Sequence, residues 1–190
     1  MTSTYWRKMK IKRTRPTYSK ERLDEIYDHQ YDHTRWEDHI KRVQETIRVG
    51  NILPSFVPGL KSIADLSAGD GAIINAINIE KKILGDYVEG YDYAGPVEET
   101  IKQIPKVDAF IFSETLEHVN HPLNVLKAIR EKTKWLILST PQDNWGDSNP
   151  EHYWSWDKEG VQYLLEKAGF EPVYFESIPI VYTHQIWICK

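Results

Sequence analysis

Three residues of one short stretch, SETLEH, carry side chains suited to acid–base or metal chemistry: Glu114, Glu117 and His118. Spaced at i, i+3 and i+4, they share one face if the stretch makes a helical turn. A second imidazole, His152, lies downstream in the loop QDNWGDSNPEHYWSW. Two carboxylates and two imidazoles are a donor set for a hard-to-borderline divalent metal ion. Imidazole also titrates near neutral pH, so His118 and His152, with Glu114 beside them, are the candidate catalytic residues without metal. Trp145, Tyr153, Trp154 and Trp156 crowd His152. At least one of them is expected to wall an acceptor ring or sugar face. Of Trp154 and Trp156, either side of Ser155, one is expected to face in and the other out.

A second stretch could hold a ligand by its backbone. Residues 62–73, SIADLSAGDGAI, read as a short apolar strand (63–66), a turn of small residues and the start of a helix. Ser67, Ala68, Gly69 and Gly71 leave the turn nearly bare, and the glycines take positive φ without strain. The helix start is expected to offer free N–H groups and a positive dipole end. NAD, a phosphate or S-adenosylmethionine could each use such a turn, and so could plain strand–helix packing. The phosphate-loop Gly-Lys-Ser/Thr is missing, which argues against a nucleotide triphosphatase, and the dinucleotide spacing G-x-G-x-x-G is missing as well. Asp92 closes the predicted second strand, 86–93, about twenty residues past the turn, where an acid can accept from both ribose hydroxyls.

The elements that must position these groups follow from periodicity. Helices are predicted over 21–30, with Ser19 as cap, and over 34–49, with Thr34 and Glu37 as a capping box. The apolar face of the second is Trp36, Ile40, Val43 and Ile47. Further helices are predicted over 72–82, ended by Gly85, over 123–132, and over 158–168, capped by Asp157 and stopped by Gly169. Strands are predicted over 107–112 and 134–139, with a closing antiparallel pair over 172–177 and 183–190. Alternating strand and helix implies an α/β protein with a parallel sheet covered on both faces. The organisation expected is a basic arm (1–18), a helical lid or cap (19–60) and the ligand-binding domain (61–190). Six basic and no acidic residues stand in 1–16, and the arm is expected to be a solvated, poorly ordered terminus.

Bulk properties narrow the class. With 41% hydrophobic and 27% charged residues, the 190-residue chain is one globular domain by length. It has no apolar run long enough for a bilayer and no secretory signal, so no membrane partner is expected. The net charge of -4 gives no global attraction to nucleic acid. The single cysteine, Cys189, excludes an internal disulfide and suits a reducing, cytoplasmic location.

Taken in order, DLSAGDGA (65–72), VEGYDY (88–93), VDAFIFSETLEHVNHP (107–122), WLILSTP (135–141) and EHYWSWDKEGVQYLLEKAGFEPV (151–173) resemble the class I S-adenosylmethionine-dependent methyltransferases. The resemblance runs from about residue 62 to the carboxyl end. It implies a three-layer Rossmann-like sheet, mostly parallel with an antiparallel closing strand, under an N-terminal helical cap. It implies S-adenosylmethionine as cofactor, held by Asp65, Ser67, Ala68, Gly69, Asp70, Gly71, Asp92, Tyr93, Ser113 and Glu114. The reaction it implies is methyl transfer, and the candidate metal site favours a hydroxyl of a small molecule or glycan over a nitrogen as the acceptor. The chain departs from the pattern at Ser67, where glycine is usual. Residues 94–106 are also too few for a helix and a third strand, so either the helix is lost or the strand shrinks to about 98–101. The ExxEH step with a later histidine is similar to metal-dependent 2′-O-methyltransferases of small-RNA 3′ ends. That likeness makes Glu114, Glu117, His118 and His152 the metal ligands and RNA the alternative acceptor. A cofactor-binding domain without turnover, and a nicotinamide oxidoreductase, are the remaining alternatives.

Overall fold

The computed structural model describes residues 9–34 and 37–190. In chain order it has β1 (Ile11–Arg13), α1 (Lys20–Ile26), α2 (Glu37–Gly50), α3 (Leu53–Phe56), β2 (Ser62–Asp65), α4 (Ala72–Ala76), β3 (Lys81–Asp86), β4 (Tyr93–Ala94) and α5 (Val97–Gln103). Then come β5 (Ala109–Ser113), a 3-10 turn (Leu116–His118), α6 (Pro122–Lys132), β6 (Trp135–Pro141), β7 (Trp154–Trp156), α7 (Lys158–Lys167), β8 (Pro172–Pro179) and β9 (Thr183–Cys189). Seven strands form the main sheet in the order β4-β3-β2-β5-β6-β9-β8. The first five pair in parallel, and β9 runs antiparallel to both β6 and β8. The α/β, mostly parallel sheet with an antiparallel closing pair is therefore as expected.

Side-chain alternation makes the three layers. Along β5, Phe110 and Phe112 join one apolar cluster, while Ala109 and Ile111 join the other. Consecutive residues of a strand face opposite sides, so a strand apolar throughout must be covered on both. Val97 and Ile101 of α5, Leu126 and Ile129 of α6, and Val161 and Leu165 of α7 close the first face. Val43 and Val49 of α2, Leu53 of α3, and Ile73 and Ile74 of α4 close the second.

Several elements differ from expectation, each for a local reason. The helix from Ala72 stops at Ala76, and residues 81–86 form a strand whose burial alternates along Ile83 and Gly85. Gly85 is not a helix breaker. A Cβ there would strike Tyr93 O at 2.6 Å and Leu66 Cδ2 at 2.8 Å, so glycine lets the neighbouring strand and turn close in. The 94–106 segment keeps its helix, α5, and the third strand shrinks to Tyr93–Ala94 rather than to 98–101.

The inner stripe of α2 is also rotated. Arg42, Val43, Thr46 and Val49 are buried, whereas Ile40 is among the exposed large apolar residues. Trp36, placed on that face from sequence, lies outside the described residues, as do residues 1–8 of the basic arm. Thr34 turns its hydroxyl to Asp32 at 2.6 Å.

Within the described residues the arm is not a loose terminus. Ile11–Arg13 pairs antiparallel with Trp154–Trp156, and Lys10 N donates to the Asp157 carboxylate at 3.0 Å. The same Asp157 caps α7 through Gly160 N at 2.8 Å. Arg15 donates to the backbone oxygens of His152, at 2.8 Å, and Asp147, at 3.2 Å, so the arm props the loop that carries His152.

Candidate active site

Chain order along the sheet reverses at β2. From there β3 and β4 lie on one side and β5 and β6 on the other. The crevice at the carboxyl ends of β2 and β5 is the place where open α/β sheets bind ligands. The small-residue turn leaves β2 there, and Glu114 and Thr115 leave β5. The two loops touch through Thr115 Oγ1 and Ser67 Oγ at 2.8 Å.

The turn has the expected backbone, with φ of 55° at Gly69 and 76° at Gly71. Its N–H groups, however, are not open. Ala68 N donates to Gly85 O, Gly69 N to Asp86 Oδ2, Asp70 N to Tyr31 O, Gly71 N to Ala68 O and Ala72 N to Asp70 Oδ1. The cap segment before α2 rests on the turn. A Cβ at Gly69 would meet His33 Cε1 at 2.7 Å, and His33 holds the Asp70 carboxylate through N and Nδ1. Asp65 is buried at the end of β2 and accepts from Ser67 N at 3.0 Å; burial pushes its pKa up to about 7.

Asp92 is not at the end of the second strand. That strand ends at Asp86, and Asp92 is exposed on the bend that follows. Asp86 accepts from Gly69 N at 2.7 Å and Val88 N at 3.3 Å. A carboxylate offers about four acceptor positions, so capacity remains. Tyr91 also reaches the turn, its hydroxyl donating to Gly69 O at 2.9 Å. Tyr93 packs partly buried against the apolar cluster, and the Ser113 hydroxyl meets Ser139 at 2.8 Å. The turn residues Asp65, Ser67, Ala68, Gly69, Asp70 and Gly71 thus come together with Asp86 and Tyr91, without Asp92.

The metal-type set assembles with three members, not four. Ligand atoms of Glu117, His118 and His152 all lie within 4.8 Å of one another. Glu114 precedes the 3-10 turn with φ 48° and does not share its face. Glu117 is 1% exposed. Its Oε2 accepts from Thr140 at 2.9 Å, while Oε1 has no hydrogen-bond partner among the described residues and lies 3.9 Å from His118 Nε2. Burial and the neighbouring Glu114 raise the Glu117 pKa. Burial, helped by His152, lowers that of His118 to about 3, so its ring is neutral. His118 Nδ1 meets Tyr27 OH at 3.1 Å, and His152 Nδ1 is held by the Asp147 carboxylate. Burial opposes the charged form of His152, but Asp147 and Glu117 together raise its pKa.

Glu114 belongs to a neighbouring cluster. Its Oε1 accepts from Ser139 Oγ at 2.8 Å; its Oε2 stands 3.0 Å from His184 Nδ1 and 4.0 Å from Arg42 Nε. Burial alone would raise its pKa, but His184 and Arg42 hold it well below the carboxylate range.

The aromatic residues around His152 serve mainly the fold. Trp154 and Trp156 sit two apart on one strand and so share a face. Both indoles donate within the chain, to Val119 O at 2.9 Å and Thr140 Oγ1 at 3.0 Å. Tyr153 is buried, and its hydroxyl accepts from Tyr18 N at 3.1 Å. Lys10 lies over the Trp145 ring. Asp86, Tyr27, Asp147, Arg42 and His184 were not assigned a site role from sequence. Only the Asp-x-Asn run of the loop, which favours side-chain-capped turns, hinted at Asp147.

A family model described as "Methyltransferase domain" matches residues 27–174. No curated protein matches. Among solved structures, the Burkholderia thailandensis 1,6-didemethyltoxoflavin-N1-methyltransferase with bound S-adenosylhomocysteine superposes with a TM-score of 0.64 at 14% identity. That match covers 96% of this chain and 95% of the other. The magnesium protoporphyrin IX methyltransferase of Synechocystis PCC 6803 gives 0.62 at 16% identity, over 89% and 92%. The N-terminal domain of EvdMO1 with S-adenosylhomocysteine gives 0.60 at 16% identity, over 89% and 93%. Identities this low speak to the fold alone, but the family match spans more than half of the chain. The chain belongs to the methyltransferase-domain family and is a class I S-adenosylmethionine-dependent methyltransferase.

Proposed function

We propose that the methyl group is delivered to a hydroxyl oxygen of a small molecule or sugar. The observation that carries the proposal is the buried Glu117 carboxylate with its unpartnered Oε1 beside two imidazoles. When bound, S-adenosylmethionine supplies an activated methyl group, so no covalent enzyme intermediate is needed. The protein's task is to align the acceptor and remove one proton. Glu117 Oε1 takes that proton, because its raised proton affinity suits a base working near neutral pH. Neutral His118, fixed by Tyr27, and His152, fixed by Asp147, orient the hydroxyl. Asp86, in place of Asp92, receives the ribose hydroxyls of the donor.

Glu117, His118 and His152 also fit a divalent metal ion, since each histidine has an outer partner at Nδ1. Held there, the ion would lower the pKa of the acceptor hydroxyl. Structural neighbours named for toxoflavin and porphyrin substrates support a small-molecule acceptor. RNA is the less favoured acceptor, because Arg13 and Arg15 of the arm are engaged within the chain, with Asn120 and the His152 loop. A cytoplasmic location is part of the same proposal and accords with a buried, unpaired Cys189. No helix among the described residues is long and apolar enough to cross a membrane.

The test is transfer of labelled methyl into panels of hydroxyl, amine and 2′,3′-diol RNA acceptors, with and without chelator, by the native chain and Glu117→Gln. The proposal expects label on hydroxyl compounds and a loss of about 100-fold in the variant. Transfer to amines only, at a rate untouched by Glu117→Gln, would refute it.

A further inference from the structure

Arg42 is 5% exposed, and its Nη1 has no hydrogen-bond partner among the described residues. A buried guanidinium N–H left unpaired costs free energy that natural chains rarely tolerate without a reason. The nearby carboxylate does not satisfy it. Glu114 Oε1 is taken by Ser139 at 2.8 Å, Oε2 faces His184 Nδ1 at 3.0 Å, and Arg42 Nε approaches only to 4.0 Å. Two basic side chains thus share one carboxylate. The next residue, Thr115, bonds Ser67 of the small-residue turn, so the cluster borders the donor crevice. Helix α2 turns Arg42 inward within its buried stripe.

We infer that Arg42 Nη1 binds a carboxylate group of a ligand in this crevice. A singly charged carboxylate fits better than a dianionic phosphate, because Glu114 already places one negative charge beside the guanidinium. Two sources carry that group: the amino-acid end of S-adenosylmethionine, and an acidic acceptor. The inference rests on donor binding at the crevice, not on the hydroxyl as the atom methylated. Arg42 anchors ligand there, beside the Glu114 carboxylate that it shares with His184.

Calorimetric titration of the full chain and of Arg42→Met separates the sources. S-adenosylhomocysteine carries the carboxylate, and 5′-methylthioadenosine lacks the amino-acid end. If the donor supplies the group, Arg42→Met weakens S-adenosylhomocysteine at least tenfold and leaves methylthioadenosine within twofold. If an acceptor supplies it, both nucleosides bind alike to the two proteins. Benzoate, a plain carboxylate probe, then raises the melting temperature of the native chain and not of the variant. Identical responses of both proteins to all three ligands overturn the inference. Methylthioadenosine binding checks the crevice independently of Arg42. Should Arg42→Met not fold, Arg42→Lys replaces it, and the same comparison decides, since lysine cannot reproduce the fork of N–H groups.

Discussion

At the scale of single residues, the site is governed by carboxylates whose surroundings differ. Asp86 ends β3 and props Gly69, whereas Asp92 is exposed on the following bend. Asp86→Ala should weaken S-adenosylhomocysteine binding about tenfold or more, through loss of charged hydrogen bonds. Asp92→Ala should change it less than twofold, and calorimetry reads both. Glu114 and His184 make a pH prediction. Glu114's pKa is lowered, so its contribution to stability is present above its unfolded value of 4.5 and lost as pH falls through the folded one. His184's pKa is raised by Glu114 against burial. Its contribution is complete below its unfolded value of 6.5 and lost as pH rises through the folded value. Unfolding free energy from urea titrations should therefore decline as pH rises past 6.5, and His184→Gln should flatten that decline. An equal slope in both proteins would contradict the pairing. Glu117, His118 and His152 were legible as a set from residue type and spacing. Glu114 was not separable from them, because only its left-handed backbone turns it toward Arg42.

At the scale of elements, strands that open on four consecutive apolar residues and helices of ten or more residues were legible from sequence. Such were β5, β6, α6 and α7, the last with its Asp157 cap. Three-residue strands were not, since Ile11–Arg13 and Trp154–Trp156 are too short to show a period and exist only by pairing with each other. Gly85 misled because a glycine after an apolar run signals helix termination equally well. Asp157 joins both kinds of element, capping α7 and holding Lys10 N. Asp157→Ala should lower stability by about 1–2 kcal/mol. It should also speed proteolysis of the segment before residue 14, as followed by mass spectrometry. Unchanged cleavage there would mean that the arm is anchored by its strand pairing alone.

At the scale of the molecule, the alternation of strand and helix carried the architecture, and the reversal at β2 carried the location of the crevice. The state of that crevice was not legible. The turn was expected to be open, yet residues 31–33 of the cap lie on Gly69 and Asp70. A cap that closes on bare backbone needs long-range packing that no local pattern announces. It also implies that residues 31–33 must shift when donor enters beside the turn. A crystal structure of the chain with S-adenosylhomocysteine tests the account most directly. In it the ribose hydroxyls should lie on Asp86, the adenosyl group beside residues 67–71 and the amino-acid end toward Glu114. A turn still covered by Tyr31 and His33, with the ligand absent or bound elsewhere at saturating concentration, would contradict it.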